Sequence, residues 1–223
     1  MQHRKKRGLT LLEVTIASSL LAMVAGAIVM FVEAGSRTYR ATASSAEMNA
    51  LALAALDEVS ERLRTTSPGR LSPPPLDPPP DPPVHTSQID FERAIGFTAG
   101  EVQWGEPERL AFRYSPSDPD DGIDNDGNGL VDEGELVWLA NPGEPDERSR
   151  VLTRWVRETL EGEIPGNGMD DNGNELVDEP GLAFTCEGDR IVVYLSLERI
   201  DGRRSRLSRT VTRTIALRNY DDE

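Results

Sequence analysis

The chain has 223 residues and a formal net charge of −15, because 39 acidic residues oppose 24 lysines and arginines. A protein body this acidic repels phosphate backbones, which argues against direct nucleic-acid binding. The single cysteine, Cys186, excludes an intrachain disulfide, and the 16 prolines and 19 glycines predict one modest domain with long connections.

The N-terminus combines a basic leader with a long apolar segment. Residues 1–8 hold four consecutive basic residues at positions 4–7, and residues 9–32 carry no charge except Glu13. As a helix this segment spans about 36 Å, more than a hydrocarbon core of about 30 Å. The positive-inside rule places the N-terminus in the cytoplasm and the residues after the segment outside. A secretory signal peptide cut after residues 25–27 is the alternative, but the apolar run continues beyond that motif.

The junction between leader and apolar segment resembles the processing motif of type IV prepilins. The leader ends in Gly8, the apolar Leu9 follows, and Glu13 is the fifth residue after the junction. Phe is the commonest first mature residue in that family, so Leu9 is a departure from the pattern. The resemblance implies cleavage between Gly8 and Leu9 by a prepilin peptidase and N-methylation of Leu9. It also implies that the Glu13 carboxylate pairs with the new α-amino group of a neighbouring subunit, which gives the charge in the membrane a partner.

Beyond the membrane segment, residues 33–66 predict an amphipathic helix. Apolar residues recur there at spacings of three and four: Met48, Ala52, Ala55, Leu56, Val59 and Leu63. We expect this stripe to pack on the sheet of the same chain, and Pro68-Gly69 to end the helix. Residues 67–87 are rich in proline and predict a polyproline II or irregular loop.

Short strand-like runs separated by turn residues occupy residues 88–219. The predicted strands are Glu101–Trp104, Arg109–Tyr114, Leu136–Ala140, Arg150–Arg157, Leu182–Cys186, Arg190–Glu198 and Leu207–Leu217. Gly188-Asp189 is expected to form a hairpin turn, and the short connections favour antiparallel pairing. The predicted fold class is therefore α+β, with a long N-terminal transmembrane helix packed on a small antiparallel sheet, as the pilin resemblance also implies.

Two acidic loops, at residues 118–135 and 166–181, repeat one pattern between predicted strands. The spacing of oxygen-bearing residues in the first loop matches the ligand positions of an EF-hand loop. With Asp124 as position 1, it gives six oxygen ligands. They are Asp124, Asp126, Asn128, the carbonyl of Leu130, Asp132 and Glu135. Alternating oxygen side chains can surround one hard cation, and a glycine at Gly129 permits the sharp turn.

The second loop offers Asp170, Asn172, Asn174, the carbonyl of Leu176, Asp178 and, as a substitute closing ligand, Glu179. It has Glu175 where the ladder has a glycine and Gly181 where it has a closing glutamate. A metal-free turn rich in Asx and Gly is the alternative. The repeated pattern favours up to two structural Ca²⁺ ions, bound weakly with a dissociation constant of about 10⁻⁴–10⁻³ M, as in extracellular modules.

No arrangement of residues indicates an enzyme, since phosphate loops, zinc-ligand spacings and nucleophile elbows are all missing from the sequence. The expected function is that of a structural minor pilin or pseudopilin. It would assemble with other pilin subunits through the N-terminal helix, from the bacterial inner membrane into a periplasmic filament. The leucine-rich processing motif, the helix at residues 55–64 and the closing strand at residues 213–219 resemble those of the J-type minor pseudopilin of type II secretion or the W-type minor pilin. The alternative is a membrane-anchored, calcium-dependent adhesion module that uses the pilin export route.

Overall fold

The computed structural model describes residues 10–76, 78, 80–200 and 205–218. The chain divides into two compact units, residues 1–44 and residues 45–223. Helix α1, Leu11–Leu63, contributes to both units. Within the described residues it is the one helix that is long and apolar enough to cross a membrane, with a mean hydropathy of 2.2 over its most apolar 18 residues. None of those 18 residues is buried inside the protein.

The C-terminal part of α1 packs on the sheet through the predicted apolar stripe. All six stripe residues are buried, none of them more than 3% exposed, and they form one core cluster with strand residues such as Phe91, Leu136 and Phe184. The helix ends at Leu63, before the expected residue 66. Ser67 has an extended backbone, as expected for a residue that precedes a proline, and Thr66 donates to the Glu92 carbonyl at 2.6 Å.

The described residues contain eleven strands. Their bounds are β1 Leu71–Ser72, β2 His85–Thr86, β3 Gln88–Phe91, β4 Ala94–Thr98, β5 Glu101–Trp104, β6 Glu108–Tyr114, β7 Gly134–Ala140, β8 Arg148–Val156, β9 Leu182–Glu187, β10 Arg190–Ile200 and β11 Arg206–Ala216. The seven predicted strands correspond to β5 through β11, each within two residues at both ends. The expected turn at Gly188 connects β9 to β10, and Gly188 has the positive φ of 56° that such a turn favours. The α+β class is confirmed.

Four strands, β1 to β4, were not predicted. Two of them, Leu71–Ser72 and His85–Thr86, lie in the proline-rich segment that was expected to be an irregular loop. These two-residue strands pair at the two ends of the sheet, with β3 and β9 respectively, where few ladder hydrogen bonds are needed and proline is tolerated. The sheet therefore begins at residue 71 and not at residue 88.

The main sheet is antiparallel, with the order β1-β3-β6-β7-β8-β10-β9-β2 and with β11 also paired to β10. Strands β4 and β5 form a separate two-stranded hairpin. Two halves are recognisable, one formed by β1, β3, β6, β7 and β8, the other by β2, β9, β10 and β11. The ladder between them contains a single registered pair, Leu197 opposite Val156.

Both acidic loops leave the sheet at the same end. The first loop connects Tyr114, the last residue of β6, to Gly134, which pairs with it in β7. Gly134 also pairs with Val156, the last residue of β8, from which the second loop runs to β9. The first loop starts and finishes at the paired residues Tyr114 and Gly134, and the bridge between Thr159 and Pro180 closes the base of the second.

Candidate functional site

The processing junction lies outside the described residues, so Gly8 and Leu9 have no structural description. Glu13 lies in the first turn of α1 and its carboxylate accepts hydrogen bonds from the Thr10 backbone N–H at 2.8 Å and the Thr10 hydroxyl at 3.0 Å. The Thr10 hydroxyl oxygen in turn accepts from the Glu13 backbone N–H at 3.2 Å. These reciprocal bonds form a capping box, which satisfies donors at the helix start. Within one chain, the Glu13 charge is therefore held locally by Thr10.

The first acidic loop is organised by carboxylates that accept backbone N–H groups. Asp124 accepts from Gly127 at 2.7 Å and Asn128 at 3.1 Å through one oxygen, and from Gly129 at 2.9 Å through the other. Asp126 also accepts from the Asn128 N–H, at 3.0 Å. Three of the expected ligand residues thus come together in one tight turn, with Gly129 in the positive-φ conformation that its position requires.

Two further expected ligands complete the first loop in different ways. Both oxygens of Asp132 accept from the Gly122 N–H at 3.0 Å, and one also accepts from the Asp121 N–H at 3.0 Å. Leu130 donates its N–H to the Asn128 side-chain oxygen at 2.8 Å and buries its own side chain, which is 2% exposed. Asp132 therefore closes the loop on its beginning, and Leu130 attaches it to the protein.

The second loop repeats these hydrogen bonds 46 residues later. Asp170 accepts from the N–H groups of Gly173, Asn174 and Glu175 at 2.6, 3.1 and 2.8 Å. Asp178 accepts from the backbone N–H groups of Asn167 at 3.0 Å and Gly168 at 2.8 Å. The side-chain oxygen of Asn172 accepts from the Asn174 N–H. The side-chain oxygen of Asn174 accepts from the N–H of the buried Leu176. Glu175 adopts a φ of 71° where the first loop has a glycine. The internal repeat seen in the sequence is therefore a structural repeat.

Glu135 has partners outside the first loop. It lies in β7, which begins at Gly134, two residues earlier than predicted. Its two oxygens pair with Arg113 of β6 at 3.0 Å and Arg154 of β8 at 3.3 Å, and its side chain is 5% exposed. The expected ladder put Glu135 at the closing position. In the structure the strand register directs this carboxylate to the neighbouring strands instead.

The residues at the base of each loop are acids that the sequence analysis had only partly identified. Glu133 and Asp118 close the first loop, and Glu179 and Glu163 close the second; all four are less than 10% exposed. Asp118 and Glu163 occupy matching turns, because their N–H groups donate to the carbonyls of Ser115 and Leu160 at 3.0 and 3.2 Å. Asp118 and Glu163 are 45 positions apart, whereas the other matched residues of the two loops are 46 apart. A sequence comparison finds this pair only if it allows a shift of one residue inside the repeat.

These base acids face the interior of their loops. Glu133 accepts from the side-chain amide of Asn128, and Glu179 accepts from those of Asn172 at 2.7 Å and Asn174 at 2.6 Å. Burial and the neighbouring Asp118 carboxyl raise the pKa of Glu133 to about 7, whereas the same interaction and the Asn125 N–H hold the pKa of Asp118 below its ordinary value. Burial, together with the nearby charge of Glu179, raises the pKa of Glu163.

Within the described ranges, no three His, Cys, Asp or Glu side chains converge on a common point that could hold a metal. The acids instead form two pairs, Asp118 with Glu133 and Glu163 with Glu179, beside amide side chains. Such pairs can share a proton or, with the addition of neutral oxygens, a cation. His85 belongs to neither pair, but its Nε2 atom lies 2.9 Å from the carbonyl of Val177 in the second loop.

Comparison with known proteins gives a family match at the N-terminus. The model of the prokaryotic N-terminal methylation motif matches residues 3–29, which include the leader junction, Glu13 and most of the apolar segment. No curated protein and no solved structure matches the chain significantly. The chain thus carries at its N-terminus a motif typical of type IV prepilin-like proteins, followed by an apolar helix that continues into an antiparallel sheet domain.

Proposed function

We propose that the protein is a structural filament subunit of the minor pilin or pseudopilin kind. The observation that carries this proposal is the methylation motif placed at the start of a helix whose far end is part of the globular core. A prepilin peptidase cuts between Gly8 and Leu9, and Leu9 is then methylated. The mature chain assembles with other pilin subunits and serves type II secretion or pilus biogenesis.

The membrane anchor in this proposal is the first part of α1. Its apolar composition and length suit a bilayer, and the described residues 11–40 are exposed in the isolated chain. Leader residues 4–7 are basic, which favours a cytoplasmic N-terminus and a periplasmic globular part. Glu33 and Arg37, one turn apart at the end of the apolar segment, form an exposed ion pair at 2.5 Å, as expected for a segment that leaves the bilayer.

The capping box suggests how Glu13 takes part in assembly. In the single chain the carboxylate is satisfied by Thr10, so the charge is not left alone in the apolar segment. A neighbouring subunit with a free α-amino group at its Leu9 offers a charged donor in place of two neutral ones, and the attraction of opposite charges is strong in a medium of low dielectric constant. Glu13 would then exchange Thr10 for the amine of its neighbour as the filament forms.

Two variants separate the charge of Glu13 from its capping function. Glu13→Gln keeps an oxygen that accepts from Thr10 but removes the charge, whereas Thr10→Ala keeps the charge and removes the hydroxyl. We expect Glu13→Gln to be processed and to remain in the membrane unassembled, and Thr10→Ala to assemble. The measurement is disulfide crosslinking between subunits, through cysteines introduced into the apolar segment, in cells that also express the partner pilins.

Normal crosslinking of Glu13→Gln would refute the charge pairing. The processing step has its own measurement, intact-mass analysis of the N-terminus of the purified protein. A mature chain that begins at a residue other than methylated Leu9 would refute the proposed cleavage, whatever the outcome of crosslinking.

A further inference from the structure

Three buried carboxylate oxygens in the acidic loops have no hydrogen-bond partner. They are one oxygen each of Glu133, Glu163 and Glu179, side chains that are 6%, 7% and 0% exposed. In the part of the chain that the structure describes, the only other buried side-chain atoms in this condition are the Ser60 hydroxyl and Nδ1 of His85. A buried carboxylate without a partner is costly, so unsatisfied oxygens in both repeats require a physical explanation.

Each of these carboxylates is oriented by its other oxygen. For Glu133 and Glu179 that oxygen accepts from asparagine amides of the loop. For Glu163 it accepts from the N–H groups of Asp171 and Asn172, at 3.2 and 3.0 Å. The unpartnered oxygen of each carboxylate is out of reach of solvent.

A second acid accompanies Glu133 and Glu179 in each case. Asp118, which is fully buried, accepts from the Asn125 N–H at 2.7 Å and lies within reach of the Glu133 carboxyl group. Glu163 occupies the equivalent turn in the second loop, close enough to Glu179 for the two charges to interact. Two buried carboxylates side by side repel each other unless a proton or a cation lies between them.

We propose that each acidic loop binds one Ca²⁺ at its base, held by Asp118 and Glu133 in the first loop and by Glu163 and Glu179 in the second. A divalent ion balances the two negative charges of each pair, and the unpartnered oxygens become its ligands. The side-chain amides of Asn128 and Asn174 already contact the pairs. This inference concerns the globular part alone and does not depend on filament assembly.

Calcium suits these sites better than other divalent ions. The available ligands are all hard oxygens from carboxylates, amides and backbone carbonyls, whereas zinc favours nitrogen and sulfur. Ca²⁺ accepts six to eight such ligands with irregular geometry, whereas Mg²⁺ requires a near-octahedral shell and retains several waters. The carboxylates of Asp124, Asp132, Asp170 and Asp178 form the frame of the loops, because both oxygens of each accept backbone N–H groups at distances of 2.6–3.1 Å.

The ligand assignment is tested by counting bound calcium. Equilibrium dialysis with radioactive Ca²⁺ is carried out on the full-length processed protein in detergent micelles, after removal of metal by a chelator. We expect two ions per chain for the wild type, one for Glu133→Gln, one for Glu179→Gln and none for the double variant. Asp118→Asn and Glu163→Gln should each remove the same ion as their partner, so a folding defect in one variant does not decide the result.

Glu135→Gln is the matched control, since it removes an equally buried carboxylate two residues from Glu133. We expect this variant to retain two ions, because Glu135 pairs with arginines of the sheet. The proposal is overturned if the wild type binds no calcium at about 10 mM, above the usual range for extracellular modules. It is also overturned if Glu133→Gln and Glu179→Gln retain both ions, or if Glu135→Gln loses one while Glu133→Gln does not.

Discussion

Replacement of Glu108 by alanine should destabilise the globular domain strongly. Glu108 begins β6 and is 6% exposed. Its carboxylate accepts from Nη1 of Arg62 at 3.0 Å, from Nε of Arg93 at 2.5 Å and from the indole N–H of Trp138. The Arg62 guanidinium also lies 4.1 Å from the centre of the Trp138 ring. One side chain thus connects the end of α1 to strands β6 and β7.

The expected loss of stability depends on the charged groups that remain when the Glu108 carboxylate is removed. Removal of one partner of a buried ion pair costs about 3–5 kcal/mol, mainly because the other charge is left without compensation. Two features place the value at the lower end of that range. Arg93 is 38% exposed and can turn to water, and Arg62 keeps its pair with Glu58 at 2.8 Å. We therefore expect a decrease in the free energy of unfolding of about 3 kcal/mol.

Urea unfolding of the full-length protein in detergent, followed by tryptophan fluorescence, measures this loss. Glu106→Ala is the matched control, because Glu106 lies two residues away and is exposed, and its carboxylate accepts a hydrogen bond from the Asn141 side-chain amide at 2.9 Å. An exposed carboxylate of this kind contributes about 1 kcal/mol or less. If the two variants differ by less than about 0.5 kcal/mol, the Glu108 network does not hold the helix to the sheet as described.

Two other predictions concern the core and the cysteine. Leu56→Ala should lower the free energy of unfolding by about 2–5 kcal/mol, because Leu56 is fully buried. Leu53→Ala, on the exposed side of α1, should lower it by about 1 kcal/mol or less. Equal losses in urea titrations would contradict the assigned helix face. Burial raises the pKa of Cys186 to about 11, so its thiolate forms only as the pH approaches that value. At pH 8 alkylation should be about a hundredfold slower in the folded protein than in urea, and a folded-state rate that does not rise with pH would count against this explanation.

The N-terminal features and the helix could be predicted from sequence because their signals are local. Glu13, the basic cluster at residues 4–7 and the apolar segment all lie within residues 1–32, and the methylation-motif match covers most of this stretch. The apolar stripe of α1 has a period that only one buried face can produce, and its six members are all buried. Long alternating or apolar runs such as those of β10 and β11 likewise indicate strands without knowledge of their partners.

The features that were not predicted depend on partners distant in the chain. Strand β1 has two residues and exists because Leu71 and Ser72 pair with β3. The assignment of Glu135 to the ligand ladder relied on EF-hand spacing, whereas its contacts are set by pairing with β6 and β8. Asp118 precedes the repeated pattern, so nothing in its own neighbourhood marks it as the companion of Glu133.

The narrow join between the two halves of the sheet has a consequence for how the domain opens. With a single registered pair between β8 and β10, backbone hydrogen bonds alone would let the halves unfold independently. The buried stripe of α1 belongs to the same core cluster as Leu110 and Leu136 of one half and Phe184 and Val193 of the other. Cooperativity therefore resides in the helix, and amide hydrogens of β7 and β10 should exchange with one common opening free energy.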